Sequence, residues 1–196
     1  MIKVGITGGI GSGKTMVCKV FELLGISVYY SDEESKKLLD NDIKVKEQII
    51  NMFGDAIINE AGNIDRKKLS AAVFGDNEKL KLLNGIVHPA VAKHFEEWLN
   101  VHSTDKYILK EAAILFESGA NKLVDEVITV TAPVSLKIQR AMQRDKIAEE
   151  QVVLRMKNQW SDEEKIKLSQ FVIYNDEENL IIPQILKIHE KFISDK

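Results

Sequence analysis

The chain is predicted to be an α/β protein with a doubly wound, parallel five-stranded sheet, a helical insert and a helical lid. Three observations carry that prediction. Short runs rich in β-branched residues near 2–7, 26–30, 107–111, 127–131 and 171–174 read as strands. Helical stretches separate them, and strands joined by crossover helices run parallel. The first run ends in Gly8-x-x-x-x-Gly13-Lys14-Thr15, a glycine-rich turn that opens directly into a helical pattern. Sheets of this kind carry helices on both faces and bind ligands beyond the carboxyl ends of their strands.

The turn carries the chemistry. Between Gly9 and Gly13 (Gly9, Ile10, Gly11, Ser12, Gly13) the glycines let the backbone curl so that successive N–H groups face one concavity, which suits phosphate oxygens. Lys14 is spaced to reach the β and γ phosphates, and the Thr15 hydroxyl to ligate Mg²⁺. A chance match would lack the strand before the turn and the helical MVCKVFELL after it. In that helix Val17, Val20, Phe21 and Leu24 share a face, and Gly25 is placed to end it. The second strand, from Ile26 to Tyr30, ends at Ser31-Asp32, eighteen positions after Lys14. Phosphoryl transfer to a hydroxyl needs a carboxylate near the acceptor oxygen, and Asp32 is the candidate. The competing reading is a helix cap from Ser31 or Asp32.

From 33 to 101 the pattern is almost wholly helical and reads as an insert built onto the sheet. His88-Pro89 is expected to interrupt it, with Pro89 opening a new helical turn and His88 held extended before it. Glu111 follows the third strand, where an acid holds Mg²⁺ directly or through water or is simply solvated. Glu117, at the next turn, is a substrate-binding or structural candidate. Residues 136–166 read as a charged lid: Arg140 and Arg144 lie one helical turn apart, and Arg155 and Gln159 repeat that spacing. Guanidinium groups closing over a triphosphate neutralise its charge and exclude water, although a charged run also describes an ordinary solvated face. The expected division is therefore 1–32 core, 33–101 insert, 102–135 core, 136–166 lid and 167–196 core.

Composition narrows the field. A formal net charge of −3 over 196 residues gives no support for a general nucleic-acid binder. No apolar run is long enough for a membrane span, and the chain enters its phosphate motif at once, so a cytoplasmic location is expected. The lone Cys18 forms no internal disulfide and reads as a small buried hydrophobe. His94, His102 and His189 lack zinc-ligand spacing. A guanine-selecting Asn-Lys-x-Asp element is absent, which argues against a GTP switch.

Taken together, these blocks resemble the dephospho-coenzyme A kinase family of P-loop small-molecule kinases. The resemblance rests on Gly5-Ile6-Thr7-Gly8-Gly9-Ile10-Gly11-Ser12-Gly13-Lys14, the Leu24-Gly25 to Asp32 spacing, His88-Pro89, Ile114-Leu115-Phe116-Glu117, Arg140 with Arg144, Arg155 with Gln159, and Ile173-Tyr174-Asn175. It implies a P-loop NTPase-type core and ATP-dependent, Mg²⁺-assisted phosphorylation of the ribose 3′-hydroxyl of dephospho-coenzyme A. It further implies Asp32, Lys14 and Arg140 as catalytic residues. Gly9 to Thr15, Arg144 and Asn175 would bind ATP, with Asn175 at its adenine end. Asp32, Lys36 and His88 would bind the acceptor and Thr15 the metal; Thr7 and Glu117 are added as acceptor-binding candidates and Glu111 as the second metal candidate. A monomer with at most weak self-association is expected, without nucleic-acid or membrane partners. The chain departs from the family at Tyr30 before Ser31-Asp32, at Lys36 for arginine, at Met16 for threonine and at Ala113 for proline. Another nucleotide or nucleoside kinase is the alternative.

Overall fold

β-Branched runs become strands and amphipathic runs become helices in the computed structural model, which describes residues 1–194. In chain order the elements are β1 (Ile2–Thr7), α1 (Lys14–Leu23), β2 (Val28–Tyr30), α2 (Ser31–Asn41), α3 (Ile43–Phe53), α4 (Arg66–Val73) and α5 (Asn77–Val101). There follow β3 (Tyr107–Glu111), β4 (Glu126–Thr131), α6 (Val134–Asp145), α7 (Glu149–Lys157), α8 (Asp162–Lys167), β5 (Phe171–Tyr174) and α9 (Ile181–Ser194). The last two positions of the expected 167–196 core segment, 195 and 196, lie outside the described residues. The chain divides into two compact units, one running from Met1 to Tyr30 and again from His102 onward, the other Ser31–Val101.

In the first unit the five strands form one parallel sheet in the order β2-β3-β1-β4-β5. β1 is central: Val4 pairs with Leu109 on one side and lies opposite Glu126 on the other. One sheet face presents Val4, Ile6, Leu109, Ile128 and Val130 to Val17, Cys18 and Phe21 of α1 and to Ile185, Ile188 and Phe192 of α9. Burial pushes the Cys18 thiol far up, so it is an inert packing group. Leu115, Phe116, Ala112 and Val127 form a separate cluster. β2 is shorter than predicted. Ile26 donates its N–H to the Phe21 carbonyl to close the end of α1, and Leu109 N–H finds the Ser27 carbonyl at 2.9 Å.

The second unit is a helical bundle with its own core. Val45 and Ile49 of α3 and Leu69 of α4 are buried with Ile57 and Ile64, and Leu83, Ile86, Val87 and Ala90 of α5 pack against them. Asp42 caps α3 by accepting from Lys44 and Val45 N–H, and Asp65 caps α4 in the same way. The expected break at His88-Pro89 does not occur: α5 runs unbroken from Asn77 to Val101 with Pro89 inside it, and His88 is helical. Proline removes one N–H and crowds the carbonyl four residues earlier. That carbonyl belongs to Gly85, an exposed residue with nothing within 4 Å of a Cβ built on it, and the helix continues through the proline.

Pro89→Ala restores the missing donor. It is expected to stabilise the protein by ~1–3 kcal/mol, the interior-proline penalty less the entropy regained by the unfolded chain. Urea unfolding at equilibrium measures this; an unchanged or lower midpoint would mean that α5 depends on its proline.

Candidate phosphate-binding site

The turn between β1 and α1 is shaped by backbone conformations that only glycine adopts easily. Gly11 and Gly13 have φ of 77° and 93°. Space is short as well. A Cβ on Gly11 would lie 2.1 Å from the Lys137 carbonyl oxygen, and one on Gly13 would lie 2.1 Å from Asn175 Nδ2. Gly13 is the N-cap of α1, with no side chain satisfying the first N–H groups of the helix. Those groups and the positive end of the helix dipole are what an anion meets there.

Lys14 is buried, and its ammonium donates to the Gly8 carbonyl at 2.7 Å and to the Gly9 carbonyl at 3.4 Å. Ser12 is fully buried, and among the described residues its hydroxyl has no hydrogen-bond partner. A buried hydroxyl without a partner inside a loop built for phosphate is itself an indication of a ligand. Thr15 is exposed on the first turn of α1. Thr7 ends β1, its hydroxyl 3.4 Å from the Ala113 carbonyl. Glu111, the last residue of β3 and opposite Ile6, is buried. Its charge raises the Cys18 pKa and that of Lys14 lowers it, both after the larger effect of burial.

The predicted lid residues separate. Arg140 donates to the Asn175 carbonyl at 2.9 Å and to Glu177 at 3.2 Å. Arg144 forks onto both oxygens of its neighbour Asp145, which also takes Arg155 at 2.9 Å. Asp145, held by two arginines, has its carboxyl pulled below the usual range, Arg144 being the larger cause. Arg140 and Arg144 share a helix face yet use different anchors, because Asp145 captures the second locally. Asn175 donates its amide to the Ser12 carbonyl at 2.9 Å and so braces the loop.

Several residues around the loop were missed. Lys137 and Asp162 are buried and joined at 2.7 Å, and the Thr131 hydroxyl reaches the same Asp162 oxygen at 2.5 Å. Fully buried Lys165 donates to the Ala113 carbonyl at 2.9 Å and pairs with Glu117 at 3.0 Å. Glu117 also accepts Trp160 N–H, while among the described residues its Oε2 is buried with no partner. Trp160 stacks on Phe116 with rings 4° from parallel. Residues 159–165, the end of the predicted lid, are thus tied to the sheet by buried charge. In sequence these groups read as an ordinary charged helical surface; the Ser161-x-x-Glu164 capping box was the one local signal of an ordered turn there.

In the helical unit Asp32 lies exposed in the first turn of α2, and Ser31 Oγ is buried with no partner among the described residues, so that hydroxyl does not cap the helix. Lys36 is exposed one turn further along. His88 is half-buried, and that burial lowers its pKa. A cavity of about 790 Å³ opens among α2, α3 and α5, lined by Leu38, Val45, Met52, Ile86, Pro89 and His94 among others. Among the described residues, no cluster of three or more His, Cys, Asp or Glu is arranged to hold a metal, and no helix is long and apolar enough to cross a membrane.

The family model described as dephospho-CoA kinase matches residues 2–180. A dephospho-CoA kinase of Bacteroides fragilis is 41% identical over 187 residues, 95% of this chain and 91% of the relative. Among solved structures, TT1252 from Thermus thermophilus aligns with a TM-score of 0.85 at 28% identity, covering 98% of this chain and 96% of that one. The dephospho-CoA kinase from Campylobacter jejuni gives a TM-score of 0.72 at 28% identity, covering 99% and 98%.

The cage around the loop predicts a contrast between two glycines of similar φ. Gly11→Ala must push back the Lys137 backbone and is expected to weaken nucleotide binding by ~10-fold or more, from strain of about 1–3 kcal/mol. Gly25→Ala, with φ of 84° but nothing within 4 Å, should leave nucleotide affinity unchanged. Calorimetric titration with ATP compares them; equal affinities would mean that the loop opens at no cost.

Proposed function

The chain belongs to the dephospho-CoA kinase family and catalyses the ATP-dependent phosphorylation of dephospho-CoA to CoA, and we propose a division of that work between its two units. The glycine-lined turn at the end of β1, with Lys14 already at its mouth, is the observation that carries the proposal. The sheet unit holds ATP, and the helical unit holds the acceptor, its cavity receiving the extended arm of dephospho-CoA. Lys36 and His88 of the helical unit contact that acceptor, and Thr7 and Glu117 of the sheet unit are its further binding residues. The partnerless Glu117 oxygen supports its share in this role.

In this reading the turn from Gly9 to Thr15 cradles the polyphosphate with its backbone N–H groups other than those of Ile10, which Gln159 holds, and Ser12, which meets the Gly9 carbonyl, and the Ser12 hydroxyl gains the partner it lacks. Lys14 exchanges the Gly8 and Gly9 carbonyls for β- and γ-phosphate oxygens and stabilises the charge that develops during transfer. Arg140 and Arg144 add to that stabilisation as the charged helices close, and Asn175 stands at the adenine end. Thr15 and Glu111 offer the oxygen donors that Mg²⁺ prefers; bound there, the ion would neutralise phosphate charge. Asp32 accepts the hydrogen bond of the ribose 3′-hydroxyl, aligns it for attack and takes its proton. Because the transition state is loose, alignment is the larger part of that work. The proposed working state is a monomer with at most weak self-association, its partner being the small-molecule acceptor.

Incubation with Mg-ATP and a panel of dephospho-CoA, adenosine and nucleoside monophosphates, read by mass, tests the acceptor; a preference for a nucleoside monophosphate would overturn it. Lys14→Ala should lower kcat by ~100-fold or more, the scale of losing one transition-state donor. Asp32→Asn keeps shape while removing charge and proton affinity. It should lower kcat by ~100-fold with melting temperature and ATP affinity nearly unchanged. A retained rate with a lower melting temperature would give Asp32 a purely structural role and move the search for the base to Glu111.

A further inference from the structure

Three side chains from the region after β4 surround Gly9. A Cβ built on Gly9 would lie 3.2 Å from Asp162 Oδ1, 3.4 Å from Lys137 Nζ and 3.8 Å from Gln159 Oε1. The next residue is held directly: Ile10 donates its N–H to Gln159 Oε1 at 2.9 Å. Gln159 is itself on a short connection fixed at both ends. The Trp160 N–H that follows it binds Glu117 at 2.8 Å, and Asp162 is buried against Lys137 and Thr131. Before it, Gln159 N–H closes the end of α7 on the Met156 carbonyl. The backbone on both sides of Gln159 is thus fixed, and its side-chain oxygen is set against Ile10 N–H.

The position of this contact along the nucleotide follows from the lysine. A lysine in this motif addresses the β and γ phosphates. Lys14 Nζ rests on the carbonyls of Gly8 and Gly9, immediately before Ile10. Gln159 therefore grips the loop at its γ-phosphate end, away from the helix N-terminus that receives the rest of the polyphosphate.

We propose that Gln159 is a positioning residue for the transferring phosphoryl group. By holding Ile10 N–H it fixes the front of the phosphate loop, and the buried Lys137–Asp162–Thr131 cluster fixes Gln159. This rests on the reading of the loop as the ATP site, but not on the identity of the acceptor. The consequence is selective. Loosening the front of the loop penalises a ligand that carries a γ-phosphate and spares one that ends at the β-phosphate. A residue that merely supports the fold would weaken both equally.

The test compares ATP and ADP affinities by calorimetry, so it stands even if dephospho-CoA proves to be the wrong acceptor. Gln159→Met keeps length and removes the acceptor oxygen. Its ATP affinity should fall about tenfold, the usual worth of one hydrogen bond, with ADP affinity changed less than about twofold. The Ile10 amide should also lose hydrogen-exchange protection. Gln159→Glu keeps an acceptor for Ile10 and adds negative charge at the γ end, so amide protection should persist while ATP again weakens more than ADP. If the Met variant fails to fold, the Glu variant decides alone. Equal losses for ATP and ADP, or no loss of either, would overturn the proposal.

Discussion

The structure depends on backbone crowding around one turn. Gly11 faces the Lys137 carbonyl and Gly13 faces the Asn175 amide at distances that leave no room for a single methyl. Those contacts come from the start of α6 and the end of β5, far away in sequence, so β1, β4 and β5 must be in parallel register before the loop acquires its shape. The hydrophobic sandwich of α1 and α9 against the sheet supplies the energy for that register. A site made of backbone N–H groups is rigid only when its surroundings are, and here the surroundings are other main chains and buried amides.

The sheet was legible because its signals are local and dense. Ile2 to Ile6, Tyr107 to Leu109 and Phe171 to Ile173 are mainly apolar, short and bounded by turns, and each became a strand. The loop was legible because its glycines, lysine and threonine are required by one chemistry at one spacing. Pro89 misled because its usual meaning is a helix boundary, whereas α5 carries it in its interior. β2 lost its first two residues because Ile26 N–H was already committed to closing α1.

What stayed hidden was the wall around the loop. Lys137, Asp162 and Lys165 are ionisable residues on highly charged helices, and such residues lie at the surface in most proteins. Their burial is a property of the tertiary arrangement: each charge is inside because a partner from another element meets it there. Sequence spacing reports which residues share a helix face and says nothing of what that face meets. Arg140 and Arg144 show the same limit, since equal spacing led to Asn175 and Glu177 in one case and to Asp145 in the other.

Lys14 carries its charge inside the protein, resting on the carbonyls of its own loop. The cost of stripping water from that ammonium is therefore met when the chain folds, and nucleotide capture begins with a cation already dry. Such a protein is least stable when empty and is stabilised by mass action as its ligand concentration rises. The folded chain would then resist unfolding and proteolysis more strongly as more nucleotide occupies the loop.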